Sequence, residues 1–259
     1  MEKQIIELKI GEITIFRKNT HLKEIPIIFL HGVYLDHKLW DKQTLEINDR
    51  PIIVIDMPMH GESKKNIKED WDLDDCTDML LEILDILKIN QVIAIGHSWG
   101  SMTILRAAIK NPKRFISLGL CNMPFKKISK KEKLKIMFQH TALIFRNLYM
   151  KQAGKALIGS KSLLANPNLI NNLIIPMKKL TNKEIRYIDK VVRIEAEDTT
   201  EIIKTLTIPN IALLGEEDYV GTPPIGEVIT VKGGHLSPLE TPDEVNYLIR
   251  RLILGIYKN

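Results

Sequence analysis

The chain has 259 residues, of which 44% are hydrophobic and 27% are charged, proportions that exclude collagen-like, disordered and disulfide-scaffold proteins. A chain of this length forms one large domain or two small ones, and its core needs neither a disulfide nor a metal ion. The net charge of +5 is unevenly distributed, because residues 124–206 contain 17 Lys and Arg against 7 Asp and Glu.

Targeting signals are not recognisable in the sequence. No apolar run approaches the roughly 18–20 residues that span a bilayer. The first residues, MEKQIIELKI, lack the apolar core and the cleavage site of a signal peptide. Two cysteines, Cys76 and Cys121, are too few for a disulfide framework. We therefore predict a cytoplasmic protein without stable membrane insertion.

Apolar runs of strand length alternate with helical patterns along most of the chain. The sequence predicts a hairpin over residues 4–10 and 12–17, and further strands at 26–30, 51–55, 92–95, 115–121, 210–214 and 227–231. Helices are predicted near 40–47, 73–87 and 98–110, and a last one from TPDEV onward. This alternation indicates an α/β fold, with a mostly parallel eight-stranded sheet covered by helices on both faces.

Residues 124–205 interrupt the alternation. They contain no run of strand quality and carry the excess of positive charge. A spacing of three and four residues predicts one helix over about 129–150, with one apolar side formed by Leu134, Met137, Phe138, Thr141, Phe145 and Leu148. We predict a core domain formed by residues 1–123 and 206–259, with an all-helical insertion at 124–205. Its basic surface is interpreted as solvated, with attraction to an anionic substrate or membrane as the alternative.

The motif that carries chemistry is Gly96-His97-Ser98-Trp99-Gly100, which follows a predicted strand and opens a predicted helix. It is a G-x-S-x-G motif in the context that confirms it. The chain must turn sharply at Ser98, so bulk at either glycine would collide with neighbouring backbone. We expect the turn to lift the Ser98 hydroxyl to the carboxyl end of the sheet. There the backbone N–H of Trp99 can bind a developing oxyanion.

A nucleophilic serine needs a base, and the base needs an orienting carboxylate. Among seven histidines, His235 is the best candidate, because it follows a glycine pair between the final strand and the final helix. His37 and His140 are alternatives that could face the site. Asp218, just past the end of a strand, is the preferred acid.

The neighbouring Glu216 and Glu217 are close rivals of Asp218, although their longer side chains and earlier positions fit less well. The order Ser98, Asp218, His235 matches the hydrolase template in which the acid and the base follow the serine. The second oxyanion donor is expected from the loop after Leu30. There Gly32 lets the backbone pass close to Ser98, and the N–H of Val33 is the natural donor.

Five motifs resemble those of the α/β-hydrolase superfamily, in its serine-nucleophile, esterase-like branch with a helical cap. They are FLHG, DMPMHGES, GHSWGS, LLGEED and GGHLSPLETPDEV, and they occur in family order over essentially the whole chain. The resemblance implies that the helical insertion is a cap over the site. It also implies hydrolysis of an ester, thioester, lactone, amide or C–C bond, without a metal ion or organic cofactor.

Two differences from particular subfamilies narrow the range of activities that the resemblance implies. GHSWGS is similar to the motif of proline iminopeptidases, but HGVYL stands where those enzymes have HGGPG, which disfavours an aminopeptidase. Haloalkane dehalogenases also have Trp after the nucleophile, but their nucleophile is Asp, so Ser98 disfavours dehalogenation.

The sequence therefore predicts a carboxylesterase that acts on a small ester, thioester or lactone, with a small-molecule substrate and no nucleic-acid partner. One alternative on the same fold is a C–C bond hydrolase, or a cofactor-free lyase or dioxygenase. Another is a non-catalytic ligand-binding receptor. A partner-binding role for the basic insertion is a further hypothesis.

Overall fold

The computed structural model describes residues 1–256. Its centre is one eight-stranded sheet in the order β1-β2-β4-β3-β5-β6-β7-β8. The strands are β1 (Glu2–Leu8), β2 (Gly11–Lys18), β3 (Ile27–Leu30), β4 (Ile52–Ile55), β5 (Val92–His97), β6 (Phe115–Cys121), β7 (Asn210–Gly215) and β8 (Val228–Val231). β2 is antiparallel to both of its neighbours, and all other pairs are parallel. The predicted hairpin and the mostly parallel eight-stranded sheet are confirmed.

Helices cover both faces of this sheet. Every residue of β3 and β4 is buried, and successive strand residues point to opposite faces, so neither face is left open. The covering helices are α1 (Asp41–Glu46), α2 (Leu73–Ile86), α3 (Trp99–Lys110), α10 (Ser237–Glu240) and α11 (Pro242–Ile256). α3 packs on β3, β5 and β6, while α11 packs on β5, β6 and β7. Within residues 1–256, none of the helices combines the length and the apolar composition needed to cross a bilayer.

The chain between β6 and β7 is helical throughout, and residues 122–209 contain no strand. Its helices are α4 (Lys130–Gln139), α5 (Arg146–Leu157), α6 (Ser160–Ala165), α7 (Asn171–Lys178), α8 (Asn182–Asp189) and α9 (Thr200–Lys204), with a π-helical turn at Lys190–Ile194. The helical character predicted for the insertion is confirmed. Its limits as a separate unit, 124 and 205, remain a prediction.

The single helix predicted over 129–150 is wrong. α4 ends at Gln139, a 3-10 turn occupies His140–Phe145, and α5 begins at Arg146. The neighbouring helix α8 explains the break. The carbonyl of Leu143 accepts a hydrogen bond from the Asn182 amide at 3.2 Å, and that of His140 accepts one from Arg186 at 3.4 Å. These two carbonyls accept hydrogen bonds from side chains of another helix, at the point where the α-helical hydrogen-bond pattern stops.

The apolar side predicted for that helix is exposed. Leu134, Met137, Phe138, Phe145 and Leu148 have exposed fractions between 56% and 77%. The side chains that face the body of the protein lie between them, and Ile136 and Leu143 are only 5% and 1% exposed. The segment is therefore anchored by a few buried residues and turns most of its apolar surface outward.

Candidate active site

Ser98 lies at the sharp turn between β5 and α3. Its backbone is in the left-handed region, with φ +52° and ψ −115°, a conformation that costs a non-glycine residue about 1–3 kcal/mol. Two hydrogen bonds hold the turn. The Ser98 N–H donates to the Cys121 carbonyl at 2.9 Å, and the Met102 N–H donates to the Ser98 carbonyl at 3.1 Å. The strained turn presents the Ser98 side chain at the carboxyl end of the sheet.

The glycines on either side of Ser98 are required by close backbone contacts. A Cβ atom on Gly100 would lie 2.2 Å from the carbonyl oxygen of Leu30, and one on Gly96 would lie 2.4 Å from the backbone nitrogen of Ser101. Both distances are far below van der Waals contact. The steric reason given for the motif from the sequence is therefore confirmed.

Ser98, His235 and Asp218 form a continuous hydrogen-bonded chain. The distance from Ser98 Oγ to His235 Nε2 is 2.9 Å, and that from His235 Nδ1 to Asp218 Oδ1 is also 2.9 Å. A carboxylate only accepts hydrogen bonds, so Nδ1 carries the proton and Nε2 is free to accept from the serine. Glu217 instead accepts a hydrogen bond from the Ser160 N–H. Of the acids considered from the sequence, Asp218 is the one that accepts a hydrogen bond from His235.

Asp218 is kept ionised by its hydrogen bonds. Burial opposes ionisation, but the hydrogen bond and charge of His235, together with the Asn122 amide, outweigh it and hold the pKa of Asp218 below its ordinary value. Asn122 Nδ2 lies 2.7 Å from Asp218 Oδ2. Asn122 directly follows β6 at a positive φ of 50°. Sequence reasoning missed Asn122, although a polar residue directly after a strand was a usable signal.

The loop that carries His235 is fixed through its backbone. The His235 N–H donates to the Leu157 carbonyl at 2.7 Å, and the His235 carbonyl accepts from His97 Nε2 at 2.7 Å. Burial, followed by the charge of His235, lowers the pKa of His97 to about 3. His97 is therefore neutral at physiological pH, and it positions the loop of the candidate base.

Glu240 organises the same loop. Its carboxylate accepts hydrogen bonds from the N–H groups of Gly159, Gly234 and Leu236 at 2.8, 3.0 and 3.0 Å. A Cβ atom on Gly234 would lie 2.6 Å from the Gly159 nitrogen. The glycine pair before His235 thus lets the chain from the helical segment pass directly over the loop.

The loop after β3 approaches Ser98 as expected. A Cβ atom on Gly32 would lie 2.9 Å from Ser98 Cβ, so only glycine allows this approach. The Tyr34 N–H is held by His60 Nε2 at 3.0 Å. The backbone N–H groups of Val33 and Trp99 donate no hydrogen bond to any residue of the described chain. Two free donors are therefore present, one on the residue after Ser98 and one on the residue after Gly32.

The two alternative histidines lie elsewhere. His37 Nδ1 is 3.0 Å from Asp56 Oδ2, and His140 Nε2 is 2.8 Å from Asp189 Oδ2. Neither contacts Ser98. The ring of Tyr219, by contrast, lies 4.7 Å from the His235 ring, centre to centre.

Asp189 joins the helical segment to the loop after β3. It is fully buried and accepts hydrogen bonds from Tyr34 Oη at 2.5 Å, from His140 at 2.8 Å and from Arg193 at 3.1 Å. Burial opposes its ionisation, but the hydrogen bond from His140 and the charge of Arg193 outweigh burial and lower the pKa of Asp189. Tyr34 directly follows Val33, so this charged cluster fixes the helical segment against the candidate oxyanion loop.

Residues 1–256 contain no group of three or more His, Cys, Asp or Glu side chains arranged to hold a metal ion. The absence of a metal ion or organic cofactor from the activity stays a prediction.

A model of the α/β hydrolase fold family matches residues 25–155. The chain belongs to the α/β hydrolase fold family. The matched residues of this family include the loop after β3 and the whole turn at Ser98, together with the first helices after β6. Asp218 and His235 lie beyond the match, so their place beside Ser98 rests on the hydrogen bonds described above.

Individual relatives are more distant. The chain is 24% identical over 224 residues to the uncharacterized hydrolase YugF of Bacillus subtilis (strain 168), covering 75% of this chain and 77% of the relative. It is 35% identical over 97 residues, or 37% of its length, to the dihydrolipoyllysine-residue acetyltransferase component of the acetoin cleaving system of Pseudomonas putida, and that match spans only 26% of the relative.

Solved structures share the fold over nearly the whole chain. A thermophilic esterase from Thermogutta terrifontis is similar with a TM-score of 0.84 and 21% identity, and the match covers 99% of both chains. At this identity the similarity shows the common fold.

Proposed function

We propose that this α/β hydrolase cleaves a small carboxylic ester, thioester or lactone through an acyl-enzyme on Ser98. The observation that carries the proposal is the relay from Ser98 Oγ through His235 to Asp218, with 2.9 Å at each step. This arrangement activates a serine toward an acyl carbon, because the base accepts the proton as the new bond forms.

The proposed reaction has two halves. Ser98 Oγ attacks the carbonyl carbon while His235 Nε2 takes its proton, and the free N–H groups of Val33 and Trp99 bind the negative oxygen. His235 then gives the proton to the leaving alcohol or thiol, and the C–O or C–S bond breaks. Water, deprotonated by His235, attacks the acyl carbon, and the acid leaves as Ser98 regains its proton. Asp218 holds the imidazole and stabilises its charged form throughout.

We propose residues 124–205 as the cap of this site. Ser98 and His235 are only 4% and 3% exposed, and the backbone of Leu157 and Gly159 lies directly over the loop of His235. Such a cap limits the access of bulk water to the site while the substrate is positioned, and its inner surface selects the acyl group.

Hydrolysis of p-nitrophenyl esters of graded acyl length tests the proposal. The native protein is expected to release nitrophenol with a burst equal to the enzyme concentration when deacylation is slow. Ser98→Ala is expected to lower kcat by several orders of magnitude. Ser101→Ala is the matched control, because its hydroxyl bonds the Cys121 carbonyl at 3.2 Å and not His235. It should retain turnover.

Other outcomes would overturn the ester proposal. Cleavage of 1,3-dicarbonyl compounds without ester turnover would assign the site to C–C bond chemistry. Stable retention of a ligand without turnover would indicate a receptor. Full ester turnover by Ser98→Ala would show that the nucleophile is a different residue.

A further inference from the structure

The outward surface of α4, the 3-10 turn after it and the start of α5 carries six large apolar side chains. Their exposed fractions lie between 56% and 80%. We call this surface the lysine–apolar face. It consists of these six apolar side chains and four neighbouring lysines: Leu134, Met137, Phe138, Ile144, Phe145 and Leu148, with Lys130, Lys131, Lys133 and Lys135. We propose that the lysine–apolar face binds the surface of an anionic lipid bilayer.

The charge around these side chains is strongly positive. Residues 126–155 contain nine Lys and Arg and a single acid, Glu132. That acid is occupied, because its carboxylate accepts hydrogen bonds from the N–H and hydroxyl of Ser129. No carboxylate within the described chain lies at ion-pair distance from any of four neighbouring lysines, Lys130, Lys131, Lys133 and Lys135. The positive charge is thus free to attract an anionic surface.

The apolar side chains are held in place for such contact. Ile136, Leu143 and Tyr149 are buried and anchor the segment to the protein from its inner side. Apolar side chains presented on a helical surface enter the boundary between headgroups and acyl chains, while flanking lysines extend toward lipid phosphates. Each lysine near an anionic bilayer strengthens binding about fivefold.

A bilayer fits this face better than a second copy of the chain does. A symmetric dimer through the lysine–apolar face would bring the same patch of both copies together. The nine cations of one copy would then oppose the nine of the other, with one acid on each side to offset them. A fluid lipid surface supplies negative charge and needs no complementary pocket for the six apolar side chains.

Sedimentation with lipid vesicles tests the proposal independently of any catalytic activity. The vesicles are phosphatidylcholine alone, or phosphatidylcholine with about 30% phosphatidylglycerol, in about 0.15 M salt, where exposed charges beyond about 8 Å are screened. One variant, Lys130→Glu/Lys131→Glu/Lys133→Glu, reverses the charge near the start of α4. Acidic side chains stabilise the start of a helix, so α4 should remain folded. The other, Phe138→Ser/Ile144→Ser, removes apolar side chains that are 77% and 80% exposed.

Matched controls separate this face from the general charge of the protein. Lys23→Glu/Lys42→Glu/Lys113→Glu makes the same change in net charge at exposed lysines of the core. Leu45→Ser/Leu254→Ser removes apolar side chains that are 73% and 59% exposed outside the cap. Circular dichroism of all four variants verifies that they are folded.

We expect the native protein to bind the anionic vesicles and not the neutral ones. The lysine variant should lose at least about 100-fold in partition coefficient, because three lysines at about fivefold each are removed and three acids are added. The apolar variant should lose binding at about 0.15 M salt, and both controls should bind like the native protein. Equal binding by the lysine variant and its charge control would overturn the proposal, as would no binding to anionic vesicles. A concentration-dependent dimer in sedimentation velocity that Phe138→Ser/Ile144→Ser abolishes would assign the face to a second copy instead.

Discussion

α3, which follows Ser98, the proposed nucleophile, and α4, which begins the proposed cap, both have apolar residues at helical spacing, but those residues are buried in one helix and exposed in the other. In α3 nine residues are buried, because the helix packs on three strands and on α2. In α4 only Ile136 is buried, and Leu134, Met137 and Phe138 are more than half exposed. Apolar periodicity therefore identifies a helix face in both cases, but which face is covered depends on neighbours that lie far away in the sequence.

The largest expected effect lies at the site that α3 helps to form. Asp218→Asn removes the carboxylate that holds Nδ1–H of His235, and the amide can present its own N–H to the ring and reverse the tautomer. We expect kcat for hydrolysis of a p-nitrophenyl ester to fall about 10⁴-fold. Glu216→Gln, an exposed neighbour, is the control and should leave kcat unchanged. Comparable kcat values for the two variants would remove Asp218 from the proposed mechanism.

A substitution at Gly100 tests whether the turn at Ser98 is as crowded as the distances indicate. Gly100→Ala would place Cβ 2.2 Å from the Leu30 carbonyl oxygen, and we expect it to destabilise the fold by about 3 kcal/mol or more. The control Gly226→Ala adds Cβ where nothing lies within 4 Å. Thermal unfolding measures both variants, and a Gly100→Ala protein as stable as the control would contradict the packing described here.

Asp189 tests how firmly the helical segment is attached to the core. Asp189→Asn leaves Arg193 without its buried carboxylate, and we expect a loss of about 3 kcal/mol at neutral pH. Glu195→Gln is the control, since its ion pair with Lys190 is exposed and should contribute less than about 0.5 kcal/mol. Denaturant unfolding at pH 7 measures the difference. Equal midpoints for the two variants would show that the cluster does not hold the segment.

The same substitution predicts a pH dependence. The pKa of Asp189 is lower in the folded protein than in the unfolded chain, so the folded state binds fewer protons and its stabilisation is complete above the unfolded value of about 3.9. That stabilisation is lost as the pH falls through the lower folded pKa. The gap in unfolding free energy between native protein and Asp189→Asn should therefore narrow in acid, and a gap that widens would contradict the assignment.

The smallest effect is expected on the exposed side of α4. Phe138→Ser changes a side chain that is 77% exposed and should alter stability by less than about 0.5 kcal/mol. Ile136→Ser, two residues earlier and only 5% exposed, should cost about 3 kcal/mol. Urea unfolding of both variants compares the two faces of one helix. Reversal of this order would mean that the predicted apolar side is the covered one.

The sequence was sufficient for the parts of the site that follow from local pattern. Ser98, Asp218 and His235 each follow an apolar strand, and strand ends of a parallel sheet meet at one edge, so their neighbourhood was predictable. Asn122 was missed although it directly follows β6, and Glu240 was not predicted, because its role depends on contacts between distant residues. Asn122 reaches Asp218 across 96 positions, and Glu240 reaches Gly159 across 81. The break at His140 is of the same kind, since it depends on hydrogen bonds from Asn182 and Arg186 of α8 to carbonyls of the 3-10 turn.

The central claim, an activated serine at position 98, is tested most directly by a fluorophosphonate probe followed by peptide mapping in a mass spectrometer. The native protein should take up one equivalent at Ser98, and Ser98→Ala and His235→Ala should take up none, while Ser101→Ala should label like the native protein. Labelling of a different serine, or undiminished labelling of folded His235→Ala, would contradict the account.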